Sequence, residues 1–391
     1  MKNNIAILGS TGSIGKTLIN IIKKNKKNFQ IVLLSSNKNH KDLLKQAYFF
    51  NVKNLIITDR NSFNILKNKK LKKKINIYNN FNDLNKILVK KIDYTMCSIT
   101  GIAGLEPTYK IIKHTKKIAI ANKEAIVCGW NIIKNELNKY KTKFVPVDSE
   151  HFSAWFGIKG FSSKEIDKIF LTASGGPFLN YPINKFKNIN KSMALKHPNW
   201  KMGSKISIDS ATMMNKVFEI IEARNIFDIS YKKLSILVHP NSYVHSIINF
   251  KNGMTKLIIH DTNMVVPIQN TLIDNTESSY ISTKLDIKKL NHLDLQNINT
   301  KKFPLVKILD NLPDITSLYE TLIVSANDKL VNLFLNDQIN FLDIQKYLFK
   351  ILNDKKFKKL KKIQPKNVTE IINLDNYLHT KIKKLIYKQA C

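Results

Sequence analysis

A short stretch close to the N-terminus limits the fold more than any other. From Asn4 to Gly15 the chain reads NIAILGSTGSIG, and Lys16 to Ile22 continues with helical periodicity. Strand, glycine-rich turn and helix in that order form the phosphate-holding corner of a dinucleotide-binding α/β unit. Gly9, Gly12 and Gly15 follow a G-x-x-G-x-x-G spacing that still lets backbone N–H groups approach a pyrophosphate, and Thr11 and Ser13 add hydroxyl donors. An ordinary glycine turn is the plainer alternative; the strand before it and the helix after it favour binding. The next strand, Gln30 to Leu34, ends in Ser35-Ser36-Asn37-Lys38-Asn39. There is no acid here to hold a ribose 2′-hydroxyl, but there are a cation and amide donors suited to a 2′-phosphate, which favours NADPH over NADH. Lys38 by itself also reads as a polar loop residue in a lysine-rich chain. Segments 52–58 and 92–100 read as further strands with helices between them, so the expected N-terminal fold is a doubly wound parallel sheet.

Length and composition bound the rest. At 391 residues with 43% hydrophobic content, the chain has material for two or three cores. No apolar run reaches the ~20 residues of a membrane span, and Met1-Lys2-Asn3-Asn4 leads directly into a strand, leaving no room for a signal segment. Cys97, Cys128 and Cys391 form neither a metal-ligand spacing nor a disulfide framework, which fits a cytoplasmic protein. The formal net charge of +35 invites a nucleic-acid reading. That excess is spread along the whole chain together with abundant Asn and Ile, the pattern of an AT-rich genome. Runs such as 67–74 (KNKKLKKK) lack the interleaved aromatics of a single-strand platform. Neither nucleic acid nor membrane is the expected partner, although a diffuse positive field would gather phosphorylated substrates.

Further along, the strand Ile118–Ile120 runs into Asn122-Lys123-Glu124, three functional side chains where open α/β sheets bind ligands. Asn122 serves equally well as a helix cap. Asp148 and Glu150 follow an apolar strand at i, i+2, so in an extended segment they project to one side. Two such carboxylates separate, share a proton or bind a cation, and an all-oxygen pair without cysteine suits Mg²⁺ or Mn²⁺. Glu219 offers a third ligand. Ser174 sits at a second glycine-containing strand end, and 174–204 is polar, irregular and proline-bearing, as a lid is. Trp200 gives that segment an apolar surface, either to close over a ligand or to anchor it in a core. In the stretch His197–Glu222, the alternation Lys205–Ile208 reads as extended and Ser210 as the N-cap of a following helix. On that helix Asn215, Lys216, Glu219 and Glu222 share one edge. A solvated edge with an i, i+3 Lys–Glu pair is the plain reading; an anionic substrate beside a cation is the functional one. His245 reads as a hydrogen-bonded core residue. Residues 261–302 read as a connection, and Leu305 onward as short amphipathic helices.

The segments GSTGSIG (9–15), ANKEA (121–125), PVDSEH (146–151), SGGPF (174–178), HPNWKMG (197–203), ISIDSATMMNK (206–216), the spaced Glu219 and Glu222, and HPNSYVHS (239–246) together resemble the 1-deoxy-D-xylulose 5-phosphate reductoisomerase family, in order and spacing, over about two thirds of the chain. Two departures stand out. Asn37 occupies a position where a small residue is common, and Ser325-Ala326-Asn327-Asp328 only approximates an Asn-Ala-Ala-Asn-Glu run.

The resemblance implies NADPH- and divalent-metal-dependent rearrangement (retro-aldol, then aldol) and reduction of 1-deoxy-D-xylulose 5-phosphate to 2-C-methyl-D-erythritol 4-phosphate, in isoprenoid precursor synthesis. It implies that Thr11, Gly12, Ser13 and Ile14 hold the cofactor pyrophosphate, and that Asn37, Lys38 and Asn39 hold its 2′-phosphate end. Asn122, Glu124 and Gly203 would contact the cofactor elsewhere. Asp148, Glu150 and Glu219 would bind one Mg²⁺ or Mn²⁺. Ser174, Ser210, Asn215 and Lys216 would grip the substrate phosphate, while Lys123, Ser149 and His197 would line its carbon chain. Trp200 would ride on the lid. Glu150, Lys123 and metal-bound water all remain candidates for moving protons. The implied assembly is a homodimer. The expected division is a Rossmann-like NADPH-binding domain over 1–147, an α+β catalytic domain over 148–275 with its lid at 174–204, a linker over 276–302 and a small helical domain over 303–391.

Overall fold

The computed structural model describes residues 2–200, 202–273 and 285–387, without the side chains of 385–387. Lys201, positions 276–284 of the expected linker and Cys391 lie outside the described residues. The chain divides into two compact units. The first holds the residues up to Ala125, Ile132–Asp148 and the stretch from Met264; the second holds Ile126–Asn131, Ser149–Asn263 and the C-terminal part.

In chain order the first unit begins β1 (Asn3–Leu8), α1 (Ser13–Lys24), β2 (Phe29–Ser36), α2 (His40–Phe50), β3 (Asn54–Ile57), α3 (Arg60–Lys67) and β4 (Asn76–Tyr78). It continues with α4 (Leu84–Ile87), β5 (Ile92–Cys97), α5 (Leu105–Ile112), β6 (Thr115–Ile120), α6 (Lys123–Tyr140) and β7 (Lys143–Pro146). The strands form one parallel sheet ordered β4-β3-β2-β1-β5-β6-β7. Helices on both faces explain the unbroken apolar runs: Ile5–Leu8, Leu55–Ile57 and Ile118–Ile120 are all buried. Chain direction across the sheet reverses between β1 and β5, the switch point at which such sheets bind ligands. Because every strand is parallel, the glycine turn after β1, the loop after β5 and the start of α6 all emerge at strand C-terminal ends. At Gly15 a Cβ would stand 2.4 Å from the Gly9 carbonyl oxygen, so only glycine lets α1 approach the turn this closely.

The second unit continues with α7 (Ser149–Gly157), β8 (Ile166–Ala173), α8 (Lys191–Ala194), α9 (Ser204–Ala211), α10 (Met214–Phe227), β9 (Leu234–Val238), β10 (Val244–Phe250) and β11 (Thr255–Ile259). After α11 (Val265–Leu272), which belongs to the first unit, come α12 (Ile287–Asn291), β12 (Gln296–Asn297), α13 (Leu318–Leu335), α14 (Phe341–Asn353), α15 (Lys355–Lys358) and α16 (Val368–Tyr387). Its sheet is ordered β11-β10-β8-β9-β12 and is antiparallel except for β8 with β9. Ile169, Leu171, Ile220, Ile236 and Ile248 fill the core between this sheet and α10. The C-terminal region is helical, as expected. The described residues of 174–203 carry only a short 3₁₀ turn and α8. The base of this segment is fixed by the packed rings of Phe178, Phe186 and Phe341, and by Lys191, which reaches the Leu335 carbonyl oxygen and the Asp337 carboxylate, each at 2.9 Å.

Three local expectations fail for physical reasons. Residues 205–208 are not extended but part of α9, and Ser210 lies in its last turn rather than capping a new helix. The alternation there reflects a helix buried on a polar as well as an apolar side, Ser207 and Asp209 being buried with Ile208. Asp148 and Glu150 do not share an extended strand, because α7 begins at Ser149 and Glu150 stands in its first turn. Residues 261–302 are not a plain connection; α11 packs back into the first unit, where Tyr94 and Thr271 hydroxyls meet at 2.7 Å.

Candidate active site

In the first unit, the glycine turn is held against the end of β2. Gly9 N–H donates to Ser35 Oγ (3.0 Å), and Thr11 Oγ1 lies 2.7 Å from Ser36 Oγ. Gly12 caps α1 without a side-chain bond, and no acid occupies the helix's first turn. The first-turn N–H groups of Ser13, Ile14 and Gly15 are therefore not answered by a local carboxylate, the arrangement that suits an anion. After β2, Asn37 Nδ2 donates to Thr58 Oγ1 (2.8 Å), and Asn39 caps α2 by accepting from Asp42 N–H (3.1 Å). Lys38 is exposed, and its carbonyl accepts from Ser62 Oγ. Asn122 is a structural cap: its Oδ1 accepts from Ala125 N–H, and its Nδ2 donates to the carbonyls of Ile99 and Gly101. Glu124 Oε2 accepts from Gly101 N–H, and Lys123 Nζ lies 3.2 Å from Asp148 Oδ2.

The second unit gathers the remaining polar groups around Lys216. Its ammonium is 2.8 Å from Glu150 Oε1, pairs with Glu219 and donates to the Thr172 carbonyl oxygen (2.5 Å). Lys216 and Glu219 are almost wholly buried, at 4% and 1% exposure, so the solvated-edge reading fails. Burial works against the ammonium, yet Glu150 and Glu219 outweigh it and hold its pKa above the usual lysine value. Asn215 Nδ2 donates to Glu219 Oε1 (2.5 Å), and Ser149 Oγ donates to Glu150. His151, fully buried in α7, donates from Nε2 to the Glu219 carbonyl oxygen (2.8 Å), and its Nδ1 is 3.6 Å from Glu222 Oε2. Sequence reasoning quoted His151 but gave it no task; its place one residue after Glu150 on a helix was the available signal.

Ser174 and Ser210 approach through Gly176. That glycine has φ +66°, and a Cβ on it would stand 2.9 Å from the Ser210 carbonyl oxygen, so the 174–178 turn lies directly on the end of α9. Ser174 Oγ accepts from Gly176 N–H (3.1 Å) and faces His197 Nε2 (3.1 Å). His197 Nδ1 accepts N–H bonds from Asn199 (3.2 Å) and Trp200 (3.0 Å). Nδ1 is therefore the unprotonated nitrogen, Nε2–H donates to Ser174, and the serine's own proton is left for an acceptor. Burial drops the His197 pKa to about 4, in keeping with a neutral ring. Trp200 is half-buried, with its ring edge-on to His245 at 6.3 Å between centroids. His245 is a buried strand residue whose Nε2 meets the His260 carbonyl oxygen. Gly203 caps α9 with open space where a side chain would be.

The donor set fits a hard divalent cation. Glu150 and Glu219 bring carboxylate oxygens within 4.8 Å of one another. The Lys216 ammonium pairs with both carboxylates. Oxygen ligands of this kind are those of Mg²⁺ and Mn²⁺.

Comparison with known proteins agrees along the whole chain. Residues 5–129 match the 1-deoxy-D-xylulose 5-phosphate reductoisomerase family model, 144–227 match the C-terminal domain model of that enzyme, and 260–381 match a further DXP reductoisomerase C-terminal domain. A 1-deoxy-D-xylulose 5-phosphate reductoisomerase of Pelagibacter ubique is 57% identical over 387 residues, covering 97% of this chain and 99% of that protein. The Zymomonas mobilis reductoisomerase, solved in complex with NADPH, superposes with a TM-score of 0.86 at 30% identity, covering 99% of each chain. A reductoisomerase solved with NADPH, fosmidomycin and magnesium gives a TM-score of 0.88 at 28% identity, covering 99% of this chain and 98% of that one. With these matches spanning both units, this chain belongs to the 1-deoxy-D-xylulose 5-phosphate reductoisomerase family of NADP-dependent oxidoreductases.

Proposed function

We propose that the chain converts 1-deoxy-D-xylulose 5-phosphate to 2-C-methyl-D-erythritol 4-phosphate with NADPH and a divalent metal, Mg²⁺ or Mn²⁺. The observation that carries this reading is the Glu150–Lys216–Glu219 cluster, with Lys216 and Glu219 buried. A dehydrogenase needing only a nicotinamide cofactor has no use for it. Asp148, Glu150 and Glu219 would hold the metal. When bound, the metal supplies Lewis acidity at the substrate's ketone and neighbouring hydroxyl oxygens, and NADPH supplies hydride.

The chain's own residues do the rest. Ser174, Ser210, Asn215 and Lys216 grip the phosphate, with Ser174 donating the proton that its bond from His197 leaves available. Lys216 also offsets the carboxylate charge of Glu150 and Glu219. Lys123, Ser149 and His197 line the carbon chain, and Trp200, carried on the turn built around His197 Nδ1, closes over it and excludes water. Thr11, Gly12, Ser13 and Ile14 take the cofactor pyrophosphate; Asn37, Lys38 and Asn39 take its 2′-phosphate; Asn122 and Gly203 contribute backbone, and Glu124 orders the neighbouring loop. Glu150 and Lys123 are the protein groups poised to move protons.

We read the assembly as a homodimer. In support, β11 lies at a sheet edge, and Leu257 on it, with Met254 just before it, is exposed. The buried thiol of Cys97 suits the cytosol. No helix among the described residues is long and apolar enough to cross a membrane.

The test is NADPH oxidation by purified protein with 1-deoxy-D-xylulose 5-phosphate, with Mg²⁺ and then with a chelator. Metal-dependent oxidation yielding the branched polyol phosphate is expected. Oxidation that survives chelation, or NADPH binding without turnover, overturns the reading.

A further inference from the structure

The C-terminal helix α13 reaches α9 through charged and polar side chains, where an apolar contact would have sufficed for packing. Asn327, fully buried, donates from Nδ2 to Asp209 Oδ1 at 2.7 Å across 118 residues of sequence. The other oxygen of Asp209 lies 3.2 Å from Lys205 Nζ one helical turn earlier, and Lys205 reaches Asp328 Oδ1 at 2.8 Å. Two consecutive residues of α13 thus hold α9, Asn327 at its last turn and Asp328 through Lys205 at its first. The next residue after Asp209 is Ser210, whose carbonyl takes the Met213 N–H bond that starts the turn into α10, and on which Gly176 rests.

The energetics of this contact argue against a purely stabilising purpose. Asp209 is 2% exposed and stands in the C-terminal turn of a helix, where the helix dipole disfavours negative charge. Asn327 Oδ1 is buried and, among the described residues, accepts no hydrogen bond, a costly omission. Apolar side chains of similar volume would hold the two helices together at lower cost. What they would not supply is direction. A hydrogen bond to one oxygen of Asp209 fixes the rotation and height of the final turn of α9, and with it the position of Ser210. We propose that Asn327, acting through Asp209, is a positioning residue for the substrate-phosphate cradle. The proposal rests on the reading of Ser174, Ser210, Asn215 and Lys216 as phosphate contacts.

Steady-state kinetics of the full-length protein decide the matter, with four variants: Asn327→Leu, Asn327→Asp, the double exchange Asp209→Asn with Asn327→Asp, and Ser210→Ala. Inorganic phosphate serves as a competitive probe of the cradle alone. Asn327→Leu is expected to raise both the substrate KM and the phosphate Ki about tenfold, the factor for one displaced hydrogen bond to an anion. The kcat and the NADPH KM should stay within about twofold. Asn327→Asp, equal in size but setting carboxylate against carboxylate, should do more. The double exchange Asp209→Asn with Asn327→Asp should recover most of the loss, because it restores the bond in the opposite sense. A merely structural role would lower kcat and weaken NADPH together, and the exchange would not rescue it. If the substrate KM and phosphate Ki are unchanged in both Asn327 variants while Ser210→Ala raises them, the inference fails and the phosphate reading stands. Should Ser210→Ala leave both constants unchanged, the phosphate reading fails and this inference with it.

Discussion

Replacing Glu320 by Gln should change how the stability of the second unit depends on pH, by an amount the structure supplies. Glu320 is 1% exposed in the first turn of α13, where its Oε2 accepts from Ser317 N–H (2.9 Å) and Ser317 Oγ (2.6 Å). Burial pushes its carboxyl up from 4.5 to about 7, against the opposing pull of those bonds and of Arg224. A carboxyl whose folded pKa exceeds its unfolded value contributes stability that is fully present below pH 4.5. That contribution is lost as pH rises through about 7. At 1.36 kcal/mol per unit, the whole loss is about 3 kcal/mol, most of it between pH 5 and pH 8.5. Glutamine keeps an oxygen to accept the Ser317 bonds and carries no charge at either pH.

The assay is urea unfolding followed by tryptophan fluorescence. All three tryptophans, Trp130, Trp155 and Trp200, lie in the second unit, so the signal reports the unit that contains Glu320. The free-energy difference between the Gln variant and the wild type should move by about 2–3 kcal/mol in favour of Gln on going from pH 5 to pH 8.5. Taking the difference cancels every other titrating group. A difference that stays constant between the two pH values within about 0.5 kcal/mol would refute the account of a buried, reluctant carboxylate.

Three further outcomes follow from the site. Lys216→Met removes the ammonium that Glu150 and Glu219 share; it should cost about 3–5 kcal/mol and make the melting temperature respond to Mg²⁺ more steeply than in the wild type, and equal Mg²⁺ shifts in both proteins would count against the shared-charge picture. Gly176→Ala meets both a φ of +66° and the Ser210 carbonyl at 2.9 Å, so a loss of about 1–3 kcal/mol and a raised substrate KM are expected; an unaltered KM would show the contact to be slack. His197, with its pKa lowered to about 4 by burial, contributes stability that is fully present above pH 6.5 and is lost as pH falls toward 4. NMR titration should accordingly show no inflection for this ring between pH 5.5 and 8, and an inflection near 6.5 would overturn the tautomer assigned to it.

Local chemistry was legible in the sequence wherever one short segment carried it whole. The strand–glycine–helix corner at 4–22 forms as read, because its requirements lie within a dozen residues. The parts that misled depend on partners far along the chain. Alternation at Lys205–Ile208 reads as extended, whereas the segment is helical and Asp209 is buried with Asn327 of α13 on one of its oxygens, more than a hundred residues later. Lys216 and Glu219 looked like a surface pair for the same reason: nothing local states that Thr172 and Glu150 cover them. Asn122 was legible as either cap or ligand, and its three bonds in the structure assign the side chain to the cap.

The return of α11 to the first unit bears on how the chain is made. Tyr94 waits for Thr271, 177 residues later, to complete its hydroxyl pair. During synthesis the parallel sheet can assemble once β7 has left the ribosome, but the surface that α11 covers stays open while much of the second unit is still being translated. An N-terminal fragment ending after β7 would carry that exposed surface permanently. The first unit is therefore not a severable module. A split or permuted version would have to carry residues 264–272 with it.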